Sequence, residues 1–142
     1  MSNGVQTQEE KLAAIRKARE DRQSAFYAAA KTKRQESELK LGEIEAETGK
    51  TLGIDLAAVF LPDGSLIVVK KPPAVVHNKI MMAQANNAVN DMVLSEYCAA
   101  VAQYPTPVEC EKLFMAYPNA RDAMVNAGIQ LAGVDQSNML GK

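Results

Sequence analysis

The chain has 142 residues and a formal net charge of -1, with 16 Lys and Arg against 17 Asp and Glu. This length allows one domain with a real core, or a small domain with an extension. The near-neutral charge gives no overall attraction to nucleic acid or anionic lipid. Trp is absent and aromatic residues make up only 5% of the chain. Ala, Val, Leu and Met must therefore fill the core, which favours helix packing over a β-sandwich.

The first 50 residues hold most of the charge, with ten Lys or Arg and nine Asp or Glu. Residues 9–47 contain no Pro and a single Gly, and strong helix formers dominate them. Thr7, three residues before Glu10, is typical of a capping box at a helix start. The sequence therefore predicts a charged helical arm over residues 1–48, whose helix is about 55 Å long at about 1.5 Å per residue.

The apolar stripe of this arm is thin. It consists of Leu12, Ile15, Ala18, Ala25, Phe26 and Ala29. Residues 31–38 contain no apolar side chain, so this part of the helix has nothing to bury. The arm is therefore predicted to extend into solvent, to pair with another copy, or to fold on a partner. Its basic cluster, Lys31, Lys33 and Arg34, offers phosphate contacts, but the acidic residues that follow favour a solvated face of mixed charge.

A β-hairpin follows the arm. Two apolar segments, 56–61 and 66–69, flank a Pro-Asp-Gly sequence at 62–64 that suits a tight turn. The Pro pair at 72–73 ends ladder pairing of the second strand. Because an isolated hairpin is only marginally stable, it must lie on the helices or on a neighbour. Self-association is expected to cover its second face.

Four helices are predicted after the hairpin. They run from Ala74 to about Asn86, from Ala88 to Gln103, from Thr106-Pro107 to Tyr117, and from Asn119 to Gly133. The fold class is therefore predicted to be α+β and predominantly α, with a long N-terminal helix, a small β-hairpin and a bundle of about four short helices. The chain divides into the arm (1–48), a hairpin plus helical body (49–135) and a loose tail (136–142).

No constellation of catalytic or metal-binding residues stands out in the sequence. His77 is the single histidine and has no Cys or carboxylate at a ligand spacing, so a structural or exposed histidine is expected. Cys98 and Cys110 lie in apolar helical patterns and are predicted to be buried free thiols of a reducing cytosol. Phosphate-loop, dinucleotide-binding and hydrolase motifs are also missing. The sequence therefore predicts a protein that is not an enzyme, with no catalytic, cofactor-binding or metal-binding residues and no cofactor.

The N-terminus carries neither the basic region nor the apolar stretch that is typical of a secretory signal. The longest apolar runs fall well short of the roughly 18 residues that are needed to cross a bilayer. A cytoplasmic location is therefore expected, either in the producing cell or in a host cell.

Three short segments of the body carry a family resemblance. They are Val68-Val69-Lys70-Lys71-Pro72, Leu113-Phe114-Met115-Ala116-Tyr117-Pro118 and Leu131-Ala132-Gly133. Through these segments, about residues 50–135 resemble the tail assembly chaperones of tailed bacteriophages. In that family a small hairpin with a Pro at its exit is followed by a helical bundle with a Tyr-Pro between helices. The arm is not part of the resemblance.

The resemblance implies a non-catalytic protein that binds the long, helical tape measure protein during tail assembly in the cytoplasm of the host cell. Such a chaperone needs an adaptable apolar groove for amphipathic helices, and it is expected to self-associate. The candidate partner-binding residues are Val75, Ile80, Met81, Met82, Met92, Phe114 and Met115, and Met124 also suits this role. Neither a membrane nor nucleic acid is expected as the partner.

Two alternatives stay open. A structural or adaptor protein that is retained in the assembled phage particle would use the arm to bridge subunits. A small regulator would bind a host enzyme or nucleic acid through Lys31, Lys33 and Arg34. A chaperone would be absent from finished virions, whereas a structural protein would be present in them at a fixed stoichiometry.

Overall fold

Five helices and three strands make up the part of the chain that the structure, a computed structural model, describes, which is residues 7–140. In chain order they are α1 (Gln8–Thr48), β1 (Leu56–Phe60), β2 (Leu66–Lys70), α2 (Ala74–Ala85), α3 (Asp91–Val101), β3 (Ala102–Tyr104), α4 (Pro107–Ala116) and α5 (Asn119–Leu140). The fold is α+β and mostly helical, as predicted. The first six residues of the predicted arm lie outside the described range.

The helix α1 has defined caps at both ends. The Thr7 side-chain oxygen accepts a hydrogen bond from the Glu10 N–H at 3.1 Å, which satisfies a donor of the first turn. At the other end Gly49 has φ 69° and donates its N–H to the Glu45 carbonyl oxygen at 2.9 Å. Glycine adopts this left-handed conformation without steric cost. The predicted start and end of the long helix are therefore confirmed to within a residue.

The three strands form one antiparallel sheet in the order β1-β2-β3. The predicted hairpin is confirmed, with Leu56 opposite Lys70 and Phe60 opposite Leu66. The third strand, β3, was predicted to be the end of a helix, and that prediction is wrong. The residue before a proline is driven out of the helical region, so Tyr104 is extended ahead of Pro105. The strand then pairs with the second edge of β2, whose backbone groups need partners.

Helix boundaries after the hairpin follow their caps. The helix α3 begins at Asp91 rather than Ala88, because the Asn90 side chain accepts a hydrogen bond from the Val93 N–H at 2.9 Å. The Thr106 cap of α4 is confirmed. The last helix continues through Gly133 to Leu140, so the predicted helix end at Gly133 is wrong, and residues 141 and 142 lie outside the described range. A single helical glycine costs only about 1 kcal/mol, which a helix tolerates.

The sheet lies between two helical layers. Side chains of Ala57, Val59, Ile67 and Val69 pack into the main core with helices α2 to α5. The alternate side chains, which include Leu56, Leu66 and Val68, form a second cluster with Leu41 and Ile44 of α1. This alternation is the expected period of two residues along a strand. The second face of the hairpin is therefore covered by α1 of the same chain, and not by another copy as predicted.

Candidate protein-interaction surface

The helix α1 meets the hairpin turn through a buried hydrogen bond. The Ser37 hydroxyl donates to the Gly64 carbonyl oxygen at 2.7 Å. Gly64 has φ 90°, and a Cβ atom there would collide with backbone atoms of Ala30 and Arg34. Glycine is therefore required at this position for two reasons: its positive φ angle and the close approach of the helix.

Two cationic side chains extend this contact to the two edge strands. The Arg34 guanidinium lies 3.8 Å from the centre of the Phe60 ring on β1. The Lys40 ammonium lies 5.2 Å from the centre of the Tyr104 ring on β3. Such cation–π contacts stabilise by about 0.5–1 kcal/mol at exposed sites and by more when they are desolvated. They fix α1 across the sheet at both edges.

The turn residue Asp63 adds an ionic contact. The Lys33 ammonium lies 3.4 Å from one Asp63 carboxylate oxygen, and the Ser65 N–H donates to the other at 2.9 Å. Partial burial raises the pKa of this carboxyl group, but hydrogen bonds from Ser65 and the charge of Lys33 outweigh it and lower the pKa below the ordinary value. The turn is therefore held to α1 with an ionised carboxylate.

These contacts refine what was predicted for the arm. Residues 31–38 were expected to project into solvent because they contain no apolar side chain. All of them except Ser37 are exposed, but Ser37, Arg34 and Lys33 each contact the hairpin through a hydrogen bond, a cation–π contact or an ion pair. Arg34 also pairs with Glu38 at 3.6 Å. Two of the three basic residues that were offered for phosphate contact, Lys33 and Arg34, are thus engaged within the chain.

The N-terminal half of α1 extends beyond the body. From Gln8 to Ala29 every side chain except Ala18 is exposed. This segment, which we call the free arm, is about 33 Å long at about 1.5 Å per residue. It carries four large hydrophobic side chains that are 44–68% exposed, namely Leu12, Ile15, Phe26 and Tyr27. The free arm is therefore a long helical surface that is open to a partner.

The structure separates the seven candidate partner-binding residues into two groups. Ile80 and Phe114 belong to the main core, as does Met124, so they are not available to a partner in this conformation. The other five are exposed: Val75, Met81, Met82, Met92 and Met115, the last by 85%. Val75 and Met82 are seven residues apart on α2 and so share one face. Met92 and Met115 lie on α3 and α4.

A small cleft lies between α2 and α3. Its volume is about 110 Å³, and it is lined by Val76, Lys79, Ile80, Val93, Glu96 and Tyr97. Of the candidate partner-binding residues only Ile80 lines it. The Lys79 ammonium and a Glu96 carboxylate oxygen lie 3.0 Å apart across the two helices. The predicted Met-lined groove is therefore not this cleft.

The two cysteines and the histidine, which were considered as possible reactive residues, lie in the helical layer. Cys98 and Cys110 are buried free thiols, as predicted. Burial raises the pKa of Cys98 to about 12 and that of Cys110 to about 11, so both thiols are neutral and poor nucleophiles near pH 7. His77 is half-buried on α2, and its Nδ1 atom has no hydrogen-bond partner among the described residues.

Within residues 7–140, no group of three or more His, Cys, Asp or Glu side chains is placed to hold a metal ion. None of the helices described here is both long and apolar enough to cross a membrane. No protein-family model, curated protein or solved structure matches the chain.

Proposed function

We propose that this protein is a non-catalytic chaperone of phage tail assembly, which binds the long helical tape measure protein before tail-tube subunits enclose it. The proposal starts from the resemblance of about residues 50–135 to that family. The observation that carries it is the free arm, a helix that leaves four large hydrophobic side chains exposed, two of which, Phe26 and Tyr27, meet edge to face. An amphipathic helix of this kind is a common means of binding another helix.

The exposed residues of the body support the same function. Val75 and Met82 of α2 offer apolar surface to a partner, and methionine adapts its shape to different neighbours. A client that is long and repetitive requires this tolerance, because many different segments must be held by one kind of surface.

The test is co-expression of the protein with its candidate client, the tape measure protein. We expect more of the client in the soluble fraction, and less of this effect with Ile15→Asp/Phe26→Asp, because both substitutions place charge in the apolar stripe. Lys17→Asp/Lys31→Asp is the matched control on the other side of the helix. Wild-type protein that leaves the client insoluble would rule out the proposal.

A structural or adaptor protein is the second candidate, and the contacts of Ser37, Arg34 and Lys40 favour it. These contacts join the arm to the sheet without a flexible linker, which suits a bridge between subunits in a finished particle. Mass spectrometry of purified particles distinguishes the two functions. A fixed number of copies per particle supports the adaptor, and depletion of the protein from mature particles supports the chaperone.

A further inference from the structure

The free arm segregates its side chains by charge as well as by polarity. At about 100° per residue, Leu12, Ile15 and Phe26 fall within about 60° of one another on one face of the helix. Arg19 and Arg22 fall between them on the same face, so the apolar stripe is interrupted by two guanidinium groups. We call this set of five residues the basic–apolar face.

Acidic side chains lie away from this face. Glu9, Glu10, Glu20 and Asp21 are each about 100° or more from its centre at the helical period. Lys17, on the far side, pairs with Asp21 at 3.8 Å. In contrast, Arg19 and Arg22 make no ion pair with any residue in the described part of the chain. The basic–apolar face therefore presents uncompensated positive charge beside apolar surface.

The same side of α1 continues onto the body. Lys33 and Ser37 follow the face along the helix and contact the hairpin turn at Asp63 and Gly64. A partner helix that lies along the free arm on this face would therefore end at the hairpin turn.

We propose that the basic–apolar face binds an amphipathic helix of a protein partner whose apolar stripe carries Asp or Glu opposite Arg19 and Arg22. This inference rests on the proposed function and adds the chemistry of the client segment that the arm selects. Carboxylates form bidentate, charge-assisted hydrogen bonds with guanidinium groups, and the flanking apolar residues exclude water around them.

A second copy of the chain fits this face less well. Antiparallel pairing that sets Ile15 beside Phe26 also sets Arg19 beside Arg22 of the other copy, which gathers four guanidinium groups at the centre. Like charges at an interface are repulsive. An anionic membrane is also a weaker match, because three half-exposed apolar residues bury too little area to insert.

The test measures binding of two synthetic helical peptides to the full chain by fluorescence anisotropy. Both peptides carry Leu at the a and d positions of about three heptads, and one has Glu where the other has Lys at the flanking positions. We expect the Glu peptide to bind at least about tenfold more tightly than the Lys peptide, with a difference that shrinks as salt is raised.

Two variants with the same change in net charge locate the effect. Arg19→Glu/Arg22→Glu is expected to weaken binding of the Glu peptide at least about tenfold, because it reverses the charges in the stripe. Lys17→Glu/Lys31→Glu alters exposed residues outside the face and is expected to stay within about twofold of wild type. Circular dichroism of each variant checks that α1 is intact.

Three results would overturn the inference: equal affinity for the two peptides, equal loss in the two variants, or tighter binding of anionic vesicles or duplex DNA than of the Glu peptide. Failure of the proposed function looks different. If Arg19→Glu/Arg22→Glu still keeps the client soluble, the function stands and this face is wrong. If the Glu peptide binds as expected but wild-type protein leaves the client insoluble, the face stands and the function is wrong.

Discussion

The Ser37 hydroxyl donates a 2.7 Å hydrogen bond to the Gly64 carbonyl oxygen, at the point where α1 meets the hairpin turn. This contact divides one helix into two parts with different roles. Before it, the free arm is exposed. After it, Leu41 and Ile44 are buried against the sheet.

Truncation separates these two parts. A chain that begins at Ala28 is expected to unfold in urea with nearly the free energy of the full chain, because the lost residues are exposed. A chain that begins at Gly49 loses Leu41 and Ile44, and the loss of each such side chain costs roughly 2–5 kcal/mol. It also uncovers Leu66 and Val68, so we expect a soluble aggregate or no folded protein. A monomeric, cooperatively folded 49–142 fragment would show that α1 is not part of the core.

Two glycines with similar backbone angles isolate the effect of the close helix–turn approach. Gly64 and Gly53 have φ of 90° and 87°. A Cβ atom at Gly64 would collide with the backbone of α1, whereas a Cβ atom at Gly53 would not. Each Gly→Ala change carries the roughly 1–3 kcal/mol cost of a left-handed residue. We expect Gly64→Ala to lower the free energy of unfolding by at least about 1 kcal/mol more than Gly53→Ala. Equal losses in urea denaturation would mean that α1 can move away from the turn.

Tyr97 offers a test of a buried polar atom. Its hydroxyl is buried in the main core and has no hydrogen-bond partner among the described residues. An unpaired buried hydroxyl costs free energy, so Tyr97→Phe is expected to be neutral or to stabilise by up to about 1 kcal/mol. A loss larger than about 1 kcal/mol would reveal a bonded hydroxyl.

Gly128 extends this test because a Cβ atom there would collide with the Tyr97 hydroxyl. Gly128→Ala is therefore expected to destabilise the protein despite the higher helix propensity of alanine. The loss should be smaller when Tyr97 is already Phe. A double-mutant cycle in thermal unfolding measures this coupling, and strictly additive effects would contradict the contact.

The buried thiols give a pH dependence with a defined sign. Burial raises the pKa of Cys98 to about 12 and of Cys110 to about 11, from an ordinary value of 9.0. Their contribution to stability is complete below pH 9 and is lost as the pH rises toward the folded-state values, because the unfolded chain releases these protons first. We expect the free energy of unfolding to fall between pH 9 and 11. The fall should be shallower in Cys98→Ala/Cys110→Ala, and an unchanged slope would contradict the assignment.

Elements with strong end signals could be predicted from the sequence. Thr7 and Gly49 bracket α1, and Thr106 followed by Pro107 begins α4, because caps and prolines act through the backbone of the residues beside them. The Pro-Asp-Gly turn fixed the hairpin for the same reason. These signals are local, so they do not depend on what the rest of the chain does.

Packing of α1 on the sheet could not be predicted from apolar periodicity, because Ser37, Lys33 and Arg34 dock through polar and cation–π contacts. The sequence of β2 contains an indication of the third strand that the analysis of apolar spacing did not use. All four residues from Leu66 to Val69 are buried, and such an uninterrupted apolar strand is typical of a central position with a neighbour on each side. Ile80 and Phe114 were assigned to the candidate surface although they are buried, because they have the same helical spacing as exposed residues nearby.

The free arm and the layer that covers the sheet are one uninterrupted helix, with no proline and with no glycine before Gly42. A force applied near Gln8 therefore reaches the sheet at Ser37 without passing through a hinge. The free arm, which is about 33 Å long at the helical rise, is therefore rigidly connected to the body. If several copies bind one filament through their free arms, their bodies would lie at the same distance from the filament axis.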